Sequence, residues 1–214
     1  MANKKILSIT TYRVCQQTIL STGTTTSTAQ QFRKLSGMFC ESGIIEDPRP
    51  RLQFIMDLQS WIESRIQQHY EVILSLDANE AIADTMGLYC PLKFNPDRPT
   101  VGSGHDGSLS TLIRTCGLCN PLTLQHSDRT PPTTYSRGPN RINYILVSNS
   151  LLSSVIRSGI LPFNSVFLSD HHPCFLDFDA YALFCKSTAV KTVRYWRLRL
   201  KQAKGVIVSE YLIK

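Results

Sequence analysis

Three clusters of polar side chains stand at the ends of apolar segments. A carboxylate can deprotonate water, an imidazole can transfer a proton or contact an anion, and an amide can hydrogen-bond to an anion. α/β enzymes place such groups at strand ends, where the sheet fixes the side chains while the loops stay open. Each cluster alone is typical of a polar turn, so their combination is what indicates a site: Asp77 with Asn79, Asn143, and Asp170 with His171.

The elements that must position these groups alternate between strands and helices. Strands are predicted where β-branched and aromatic residues or near-continuous apolar runs occur. They cover residues 6–12, 71–76, 141–148, 155–160 and 173–178. Helices are predicted where apolar residues recur three or four positions apart, with a capping box at Thr28 for the first. They cover residues 28–43, 47–68 and 109–116. This alternation predicts an α/β fold.

The positive charge of the chain is concentrated at its C-terminal end. The net charge is +7, yet residues 1–185 hold 15 Lys/Arg and 15 Asp/Glu, whereas residues 186–214 hold eight bases against Glu210. We therefore divide the chain into a domain over residues 1–180 and a basic tail or connector over residues 181–214. Such a tail can bind phosphate backbones, and a solvated helix face or a linker is the alternative.

The composition is that of a globular protein. Apolar residues make up 42% and charged residues 18%, which excludes a disordered polyelectrolyte. No apolar run reaches the ~18 residues of a membrane span, and the run after Met1 is too short for a signal peptide. We therefore expect an intracellular protein, with the nucleus as one location. Cys116 and Cys119 have zinc-ligand spacing, but without a second ligand pair they are expected to be small hydrophobic side chains.

Several short motifs follow one another along residues 4–180: Thr11-Tyr12-Arg13, Leu76-Asp77-Ala78-Asn79-Glu80, Pro132-Thr-Thr-Tyr135 with Arg141-Ile-Asn-Tyr144, Gly159-Ile-Leu-Pro-Phe163, and Ser169-Asp-His-His-Pro173. In this order they resemble the endonuclease/exonuclease/phosphatase superfamily, and most closely the endonuclease domain of non-LTR retrotransposons. The resemblance implies a DNase I-like four-layer α/β sandwich, of which this chain holds about the C-terminal two-thirds. It also implies a hydrolase that cleaves phosphodiesters with Mg²⁺ or Mn²⁺, hard cations that prefer oxygen ligands.

The resemblance assigns a role to each matching residue. Asp77 matches the carboxylate that orients or deprotonates the attacking water, and Asn79 matches its amide partner on a phosphate oxygen. Tyr12 matches the phenol that hydrogen-bonds the phosphate. His171 matches the histidine that contacts the scissile phosphate or acts as a base, and Asp170 matches the acidic residue beside the metal.

Two departures from the family pattern bear on catalysis. Asn143 stands where the family has an Asp that accepts a hydrogen bond from the catalytic histidine and stabilises its charged form. The family also begins with a long segment that supplies an Asn and a metal-binding Glu, whereas this chain starts at the strand ending in Tyr12. We therefore expect an N-terminally truncated domain whose metal site lacks that Glu. Glu80 and Arg141 receive no role and are expected at the solvated surface.

Two hypotheses of different class follow. The first is a metal-dependent phosphodiester hydrolase of retroelement type that acts on DNA, with RNA as the alternative substrate. Under this hypothesis the chain is either an active enzyme or an inactive fragment of one. The second is a non-catalytic remnant that binds nucleic acid through the basic tail. The tail residues expected on the phosphate backbone are Arg194, Arg197, Arg199 and Lys201. A phosphoinositide or sphingolipid substrate is a third option, although no feature points to a membrane or to a protein partner.

Overall fold

A computed structural model describes residues 5–15, 26–46, 48–82, 109–126, 132–164 and 169–184. The four tail residues predicted to bind nucleic acid lie outside these ranges: Arg194, Arg197, Arg199 and Lys201. No helix in the described part of the chain combines the length and hydropathy needed to cross a membrane.

Strands and helices alternate along the described ranges, as predicted from the sequence. The elements are β1 (Lys5–Tyr12), α1 (Ser27–Glu41), α2 (Pro50–Gln67), β2 (Tyr70–Asp77), α3 (Leu109–Thr115), β3 (Leu118–Cys119), α4 (Pro121–Gln125), β4 (Asn143–Ser148), a 3₁₀ helix (Asn149–Ser154), β5 (Val155–Ile160), β6 (Cys174–Phe178) and α5 (Ala180–Leu183). The five long predicted strands are confirmed to within two residues. β3, α4, α5 and the 3₁₀ helix were not predicted because they are shorter than the window over which periodicity is visible.

The first helix begins two residues earlier than the sequence pattern indicates. The N-cap is Thr26, whose hydroxyl accepts a hydrogen bond from the backbone N–H of Ala29 at 3.3 Å. Thr28, the predicted cap, is instead buried and donates its hydroxyl to the backbone oxygen of Cys15 at 2.9 Å. The prediction was wrong because both threonines can cap, and the contact with the distant Cys15 decides between them. α2, in contrast, begins later than predicted, at Pro50 rather than near residue 47.

Four strands form one mixed sheet in the order β1-β2-β4-β3. β1 runs parallel to β2, with Lys5 opposite Tyr70 and Tyr12 opposite Asp77. A parallel pair requires a crossover connection, which α1 and α2 provide. β4 runs antiparallel to β2, so that its first residue, Asn143, lies opposite Asp77. The last residues of β1 and β2 and the first residue of β4 therefore share one edge of the sheet.

The two faces of this sheet are covered differently. Alternate residues of β2, among them Val72 and Leu74, pack against α2 and α3 in the main hydrophobic core. Ile73 points to the opposite face, where a second cluster includes Val147 of β4 and Leu176 of β6. β5 and β6 form an antiparallel two-stranded sheet on that side. Helices, a four-stranded sheet and a two-stranded sheet thus lie in successive layers, which confirms the α/β class with two stacked sheets.

The burial of α2 generates a stability prediction. Ile62 is fully buried against the sheet, whereas Ile66, one turn further along α2, is 37% exposed. Ile62→Ala should lower the free energy of unfolding by about 2–5 kcal/mol, because it removes buried methyl groups and leaves a cavity. Urea denaturation followed by circular dichroism measures the change. Ile66→Ala is the matched control, and equal losses for the two variants would contradict this packing of α2.

Candidate active site

The register of the four-stranded sheet collects three of the predicted site residues. Tyr12 ends β1, Asp77 ends β2 and Asn143 begins β4, and they are neighbours across the ladder. The chain stays paired just past this edge, since Arg13 donates its backbone N–H to the carbonyl of Asp77 at 2.9 Å. Ala78 similarly donates to the carbonyl of residue 142 at 2.8 Å. The edge is therefore fixed by backbone hydrogen bonds, and its side chains project from a rigid base.

A second segment brings His171 to the same edge. Tyr135 and His171 form an isolated antiparallel bridge, and their rings lie 5.0 Å apart between centroids. Ser136 donates its backbone N–H to the carbonyl of Asp170 at 2.9 Å, and His172 donates to the carbonyl of Thr134 at the same distance. The Ser-Asp-His-His turn is thus held along its backbone by residues 134–136.

Thr134 joins this second segment to the start of β4. Its side chain is fully buried, and its hydroxyl oxygen accepts hydrogen bonds from the backbone N–H groups of Ile142 at 2.8 Å and Asn143 at 3.0 Å. Through its carbonyl the same residue holds His172. Because His171 directly precedes His172, this one threonine sets the distance between Asn143 and His171. Sequence reasoning gave Thr134 no role, although it lies within a motif that carries the family resemblance.

The imidazole of His171 contacts the amide of Asn143. Nδ1 of His171 lies 2.9 Å from the amide nitrogen of Asn143 and 3.3 Å from its amide oxygen. In the neutral ring, the nearer amide nitrogen donates to Nδ1, and the ring proton then lies on Nε2. This tautomer presents an N–H donor at Nε2. A carboxylate at position 143 would instead accept from an Nδ1–H group and favour the charged ring.

Two carboxylates flank the same imidazole. Oδ2 of Asp77 is 4.0 Å from Nδ1 of His171, and Oδ1 of Asp170 is 3.9 Å from Nε2. Burial raises the pKa of the Asp77 carboxyl, and the charge of Asp170 adds to this rise. A positive charge on His171 and a hydrogen bond from the backbone N–H of Asn79 lower the pKa and oppose it. A carboxylate with a raised pKa is a stronger proton acceptor, which suits a group that must deprotonate water.

Tyr12 and Asn79 lie beside this group and contact the segment after β1. Burial raises the pKa of the Tyr12 phenol, and the side chain of Cys15 and the charge of Asp77 act in the same direction. The phenol therefore keeps its proton at neutral pH and can donate a hydrogen bond to an anion. The amide nitrogen of Asn79 donates to the carbonyl of Arg13 at 2.6 Å, and its amide oxygen accepts from the Cys15 thiol at 3.2 Å. Asn79 is thus hydrogen-bonded within the protein at both ends of its amide group.

The residues present suit an open site for a hard cation. The Asp170 side chain is 44% exposed and lies 3.9 Å from the imidazole of His171 and 3.8 Å from the guanidinium of Arg137. Within the described ranges, no three His, Cys, Asp or Glu side chains come together to hold a metal. A closed protein cage is therefore not formed there. Mg²⁺ does not need one, because it is commonly bound by one or two carboxylates together with water and phosphate.

Two residues expected at the solvated surface are instead paired and at least partly buried. Glu80 is partly buried and bonds to Arg13 and Arg51. Arg141 is 9% exposed, donates to the hydroxyl of Thr123 at 3.1 Å and lies over the ring of Tyr144. Both expectations were wrong because local polarity does not reveal the contacts of Glu80 with Arg13 and Arg51 or that of Arg141 with Thr123, which join separate segments of the chain.

The paired cysteines behave as hydrophobic side chains. Cys116 and Cys119 are both buried. Burial raises the pKa of Cys116 to about 12, so its thiol stays protonated at neutral pH. Their burial confirms the expectation that they serve as small hydrophobic side chains.

Comparison with known proteins yields structural likenesses only. The chain is similar to the 3′ phosphatase NExo from Neisseria bound to a product DNA hairpin, at 21% identity with a TM-score of 0.43. The alignment covers 59% of this chain and 52% of that chain. The 3′-5′ exonuclease NExo from Neisseria meningitidis gives the same values. The catalytic domain of APE2 from Xenopus laevis aligns at 20% identity and a TM-score of 0.45, over 60% of this chain and 42% of that chain. No protein-family model and no curated protein matches the sequence.

The chain therefore spans about half the length of the NExo structures that it matches. At these levels of identity and superposition, the likeness does not transfer the activity of those proteins. The chemistry of this chain follows from the geometry of its own residues.

The raised pKa of Asp77 predicts how a substitution changes stability with pH. The folded state binds the Asp77 proton more tightly than the unfolded state does. Ionised Asp77 therefore destabilises the fold at pH values above its pKa in the folded and in the unfolded state. Asp77→Asn should therefore raise the free energy of unfolding at pH 7, and this gain should disappear as the pH falls below the usual Asp range. Denaturant unfolding from pH 3 to pH 7 measures the difference between the two proteins. Asp57→Asn, on the exposed face of α2, is the control. A higher free energy of unfolding at pH 7 for Asp57→Asn but not for Asp77→Asn would contradict the prediction.

The contact between Asn143 and His171 generates a second prediction. In the unsubstituted protein, ¹⁵N NMR of the neutral His171 ring should find the proton on Nε2, and in Asn143→Asp it should find the proton on Nδ1, where the carboxylate can accept it. If the site hydrolyses phosphodiesters, Asn143→Asp should raise kcat on the order of 100-fold, because a carboxylate in this position stabilises the charged imidazole. Asn164→Asp, on an exposed loop, is the matched control. A ring already protonated at Nδ1 in the unsubstituted protein would refute the assignment.

Proposed function

We propose that the chain is a metal-dependent phosphodiester hydrolase that acts on DNA, of the endonuclease type found in retroelements. The observation that carries the proposal is the convergence of five side chains at one edge of the sheet. They are an imidazole flanked by two carboxylates, a phenol that stays protonated and an amide that orients the imidazole: His171, Asp77, Asp170, Tyr12 and Asn143. These groups supply a base, anion donors and a metal-binding oxygen in one place.

The proposed reaction is an in-line displacement at phosphorus. Asp77 accepts a proton from a water molecule, whose oxygen attacks the phosphorus as the bond to the leaving oxygen breaks. The Nε2–H group of His171 and the phenol of Tyr12 donate hydrogen bonds to phosphate oxygens, which gain negative charge in the transition state. Asn143 holds the imidazole in the donor tautomer required for this contact. Asn79 supports the edge through its bond to Arg13, and the second hydrogen of its amide is the group we assign to the phosphate.

Asp170 is the residue we assign to Mg²⁺ or Mn²⁺. Its carboxylate is exposed beside His171, and the remaining ligands of such an ion are water and substrate phosphate. When bound, the ion supplies positive charge that stabilises the phosphoryl oxygens and the leaving group. The protein groups keep their own tasks, with Asp77 as proton acceptor and His171 as hydrogen-bond donor.

The basic tail supports a second candidate, which is nucleic-acid binding without catalysis. The excess positive charge of the chain lies within residues 186–214, and such a segment releases counterions when it binds a phosphate backbone. The residues assigned to this contact are Arg194, Arg197, Arg199 and Lys201. This candidate predicts DNA binding that weakens steeply with salt and does not depend on Asp77.

The test of the proposed function is the nicking of supercoiled plasmid DNA in the presence of Mg²⁺ or Mn²⁺. The full chain should convert the plasmid to open circles, and a chelator should stop the reaction. Asp170→Asn and His171→Ala should each lower the rate by about 10²-fold or more, since each removes a group that acts on the transition state. Gel electrophoresis of the plasmid forms gives the rates.

Asp177→Asn is the matched control for Asp170→Asn. Asp177 lies on β6, pairs with Arg157 through two hydrogen bonds, and has no part in the proposed site. Its variant should nick DNA at the unsubstituted rate. If the unsubstituted chain nicks no faster than the double variant Asp170→Asn/His171→Ala with either metal, the hydrolase proposal fails. Retained, salt-sensitive DNA binding in that case would favour the second candidate.

A further inference from the structure

One buried and two partly buried charged side chains form a cluster beside the edge that carries Tyr12 and Asp77. Glu80 accepts hydrogen bonds from Arg13 and from Arg51, the latter at 3.3 Å. Arg13 is 4% exposed, and the side chains of Arg51 and Glu80 are 18% and 26% exposed. Two guanidinium groups thus share one carboxylate in a largely desolvated place.

Arg51 connects three parts of the chain through a single side chain. It belongs to the first turn of α2 and donates to the backbone carbonyl of Val14, which follows β1. It also donates to the backbone carbonyl of Asn79 at 3.3 Å and to the carboxylate of Glu80, both of which follow β2. The planar fork of arginine allows these simultaneous bonds, whereas lysine offers a single ammonium group. Arg51 therefore fixes the two strand-end segments relative to each other.

These two segments carry groups of the candidate site. Asn79 has a positive φ of 47°, a conformation that Asn tolerates better than most residues, and its amide donates to the carbonyl of Arg13. The Cys15 thiol contacts both the amide oxygen of Asn79 at 3.2 Å and the phenol oxygen of Tyr12 at 3.7 Å. A shift of either segment would move Asn79 and Tyr12 together.

Burying these charged groups carries a cost in free energy that their hydrogen bonds must offset. Burial lowers the pKa of Arg51, and the nearby charge of Arg13 lowers it further, although Glu80 opposes the change. Buried ion pairs are often no more stabilising than apolar groups of similar size, because both charges lose their hydration. What such a cluster can supply is a fixed geometry, since each of its hydrogen bonds has a direction.

We infer that Arg51 and Glu80 are positioning residues of the active site. Together they hold Asn79 and the segment 12–15 in the geometry needed for the reaction. Neither residue touches substrate in this assignment. The inference rests on the proposed function for its catalytic part, whereas its structural part can be tested without any activity.

The first test is hydrogen exchange of Arg51→Met, measured by NMR or mass spectrometry. The amides of Arg13 and Asn79 should exchange about tenfold faster or more, because the segments that they belong to lose their common partner. Exchange within β2 and α3 should stay within about twofold of the unsubstituted protein. Arg65→Met is the matched control, since Arg65 lies on the same helix and contacts Gln68 and Trp61 instead.

The second test uses the nicking reaction. Arg51→Met should lower kcat by about tenfold or more with little change in KM, because misplaced groups lose contacts that form only in the transition state. In an Asn79→Ala background the same substitution should have a much smaller effect, since two residues that act as a unit give non-additive changes. Arg65→Met should match the unsubstituted rate.

The outcomes separate this inference from the proposed function. If the unsubstituted chain does not nick DNA, the hydrolase proposal fails, and hydrogen exchange still decides whether Arg51 fixes the two segments. If Arg51→Met does not fold, Glu80→Gln is measured instead, because it removes the shared charge and keeps the size of the side chain. Unchanged exchange at Arg13 and Asn79 in a folded variant, or equal losses of kcat in both backgrounds, would overturn the inference.

Discussion

The candidate site depends on the register between β2 and its two neighbours. Because β1 is parallel to β2 and β4 is antiparallel to it, Tyr12, Asp77 and Asn143 lie in one row at one edge. Side chains alternate along a strand, so Asp77 shares a face with Ile73, on the side of β6, while Leu74 and Leu76 face the helices. A slip of one residue would turn Asp77 toward the helices and away from His171. The hydrophobic pattern of β2 that fills the core therefore also determines where the carboxylate points.

The backbone, more than the side chains, brings the second half of the site into place. The turn that carries His171 is bound through main-chain groups of residues 134–136, and the buried hydroxyl of Thr134 binds main-chain N–H groups at the start of β4. The side chains of Asp170 and His171 take no part in these bonds. They can therefore be replaced with little change in the path of the chain, and a loss of activity on their replacement can be attributed to chemistry.

The sequence predicts the parts of this molecule that depend on local pattern. Alternating or continuous apolar runs locate the five long strands, and the polar groups at their ends are visible without a structure. What the sequence hides depends on contacts between distant positions. Glu80 was expected at the surface because its neighbours are polar, yet it meets Arg51, 29 positions away. Likewise, nothing near Thr134 indicates that it binds the start of β4, since that contact exists only once the sheet has formed.

Asn143 illustrates how electrostatics at this edge limits the choice of residue. Asp77 lies directly opposite it in the ladder, and the Asp170 carboxylate is close enough to raise the Asp77 pKa. An Asp at position 143 would add a third carboxylate, and like charges directly opposite each other destabilise a strand pair. The neutral amide avoids this repulsion and still binds His171, but it places no negative charge beside the imidazole. At position 143, Asn therefore favours the fold, whereas Asp would favour a charged histidine, and this chain has Asn.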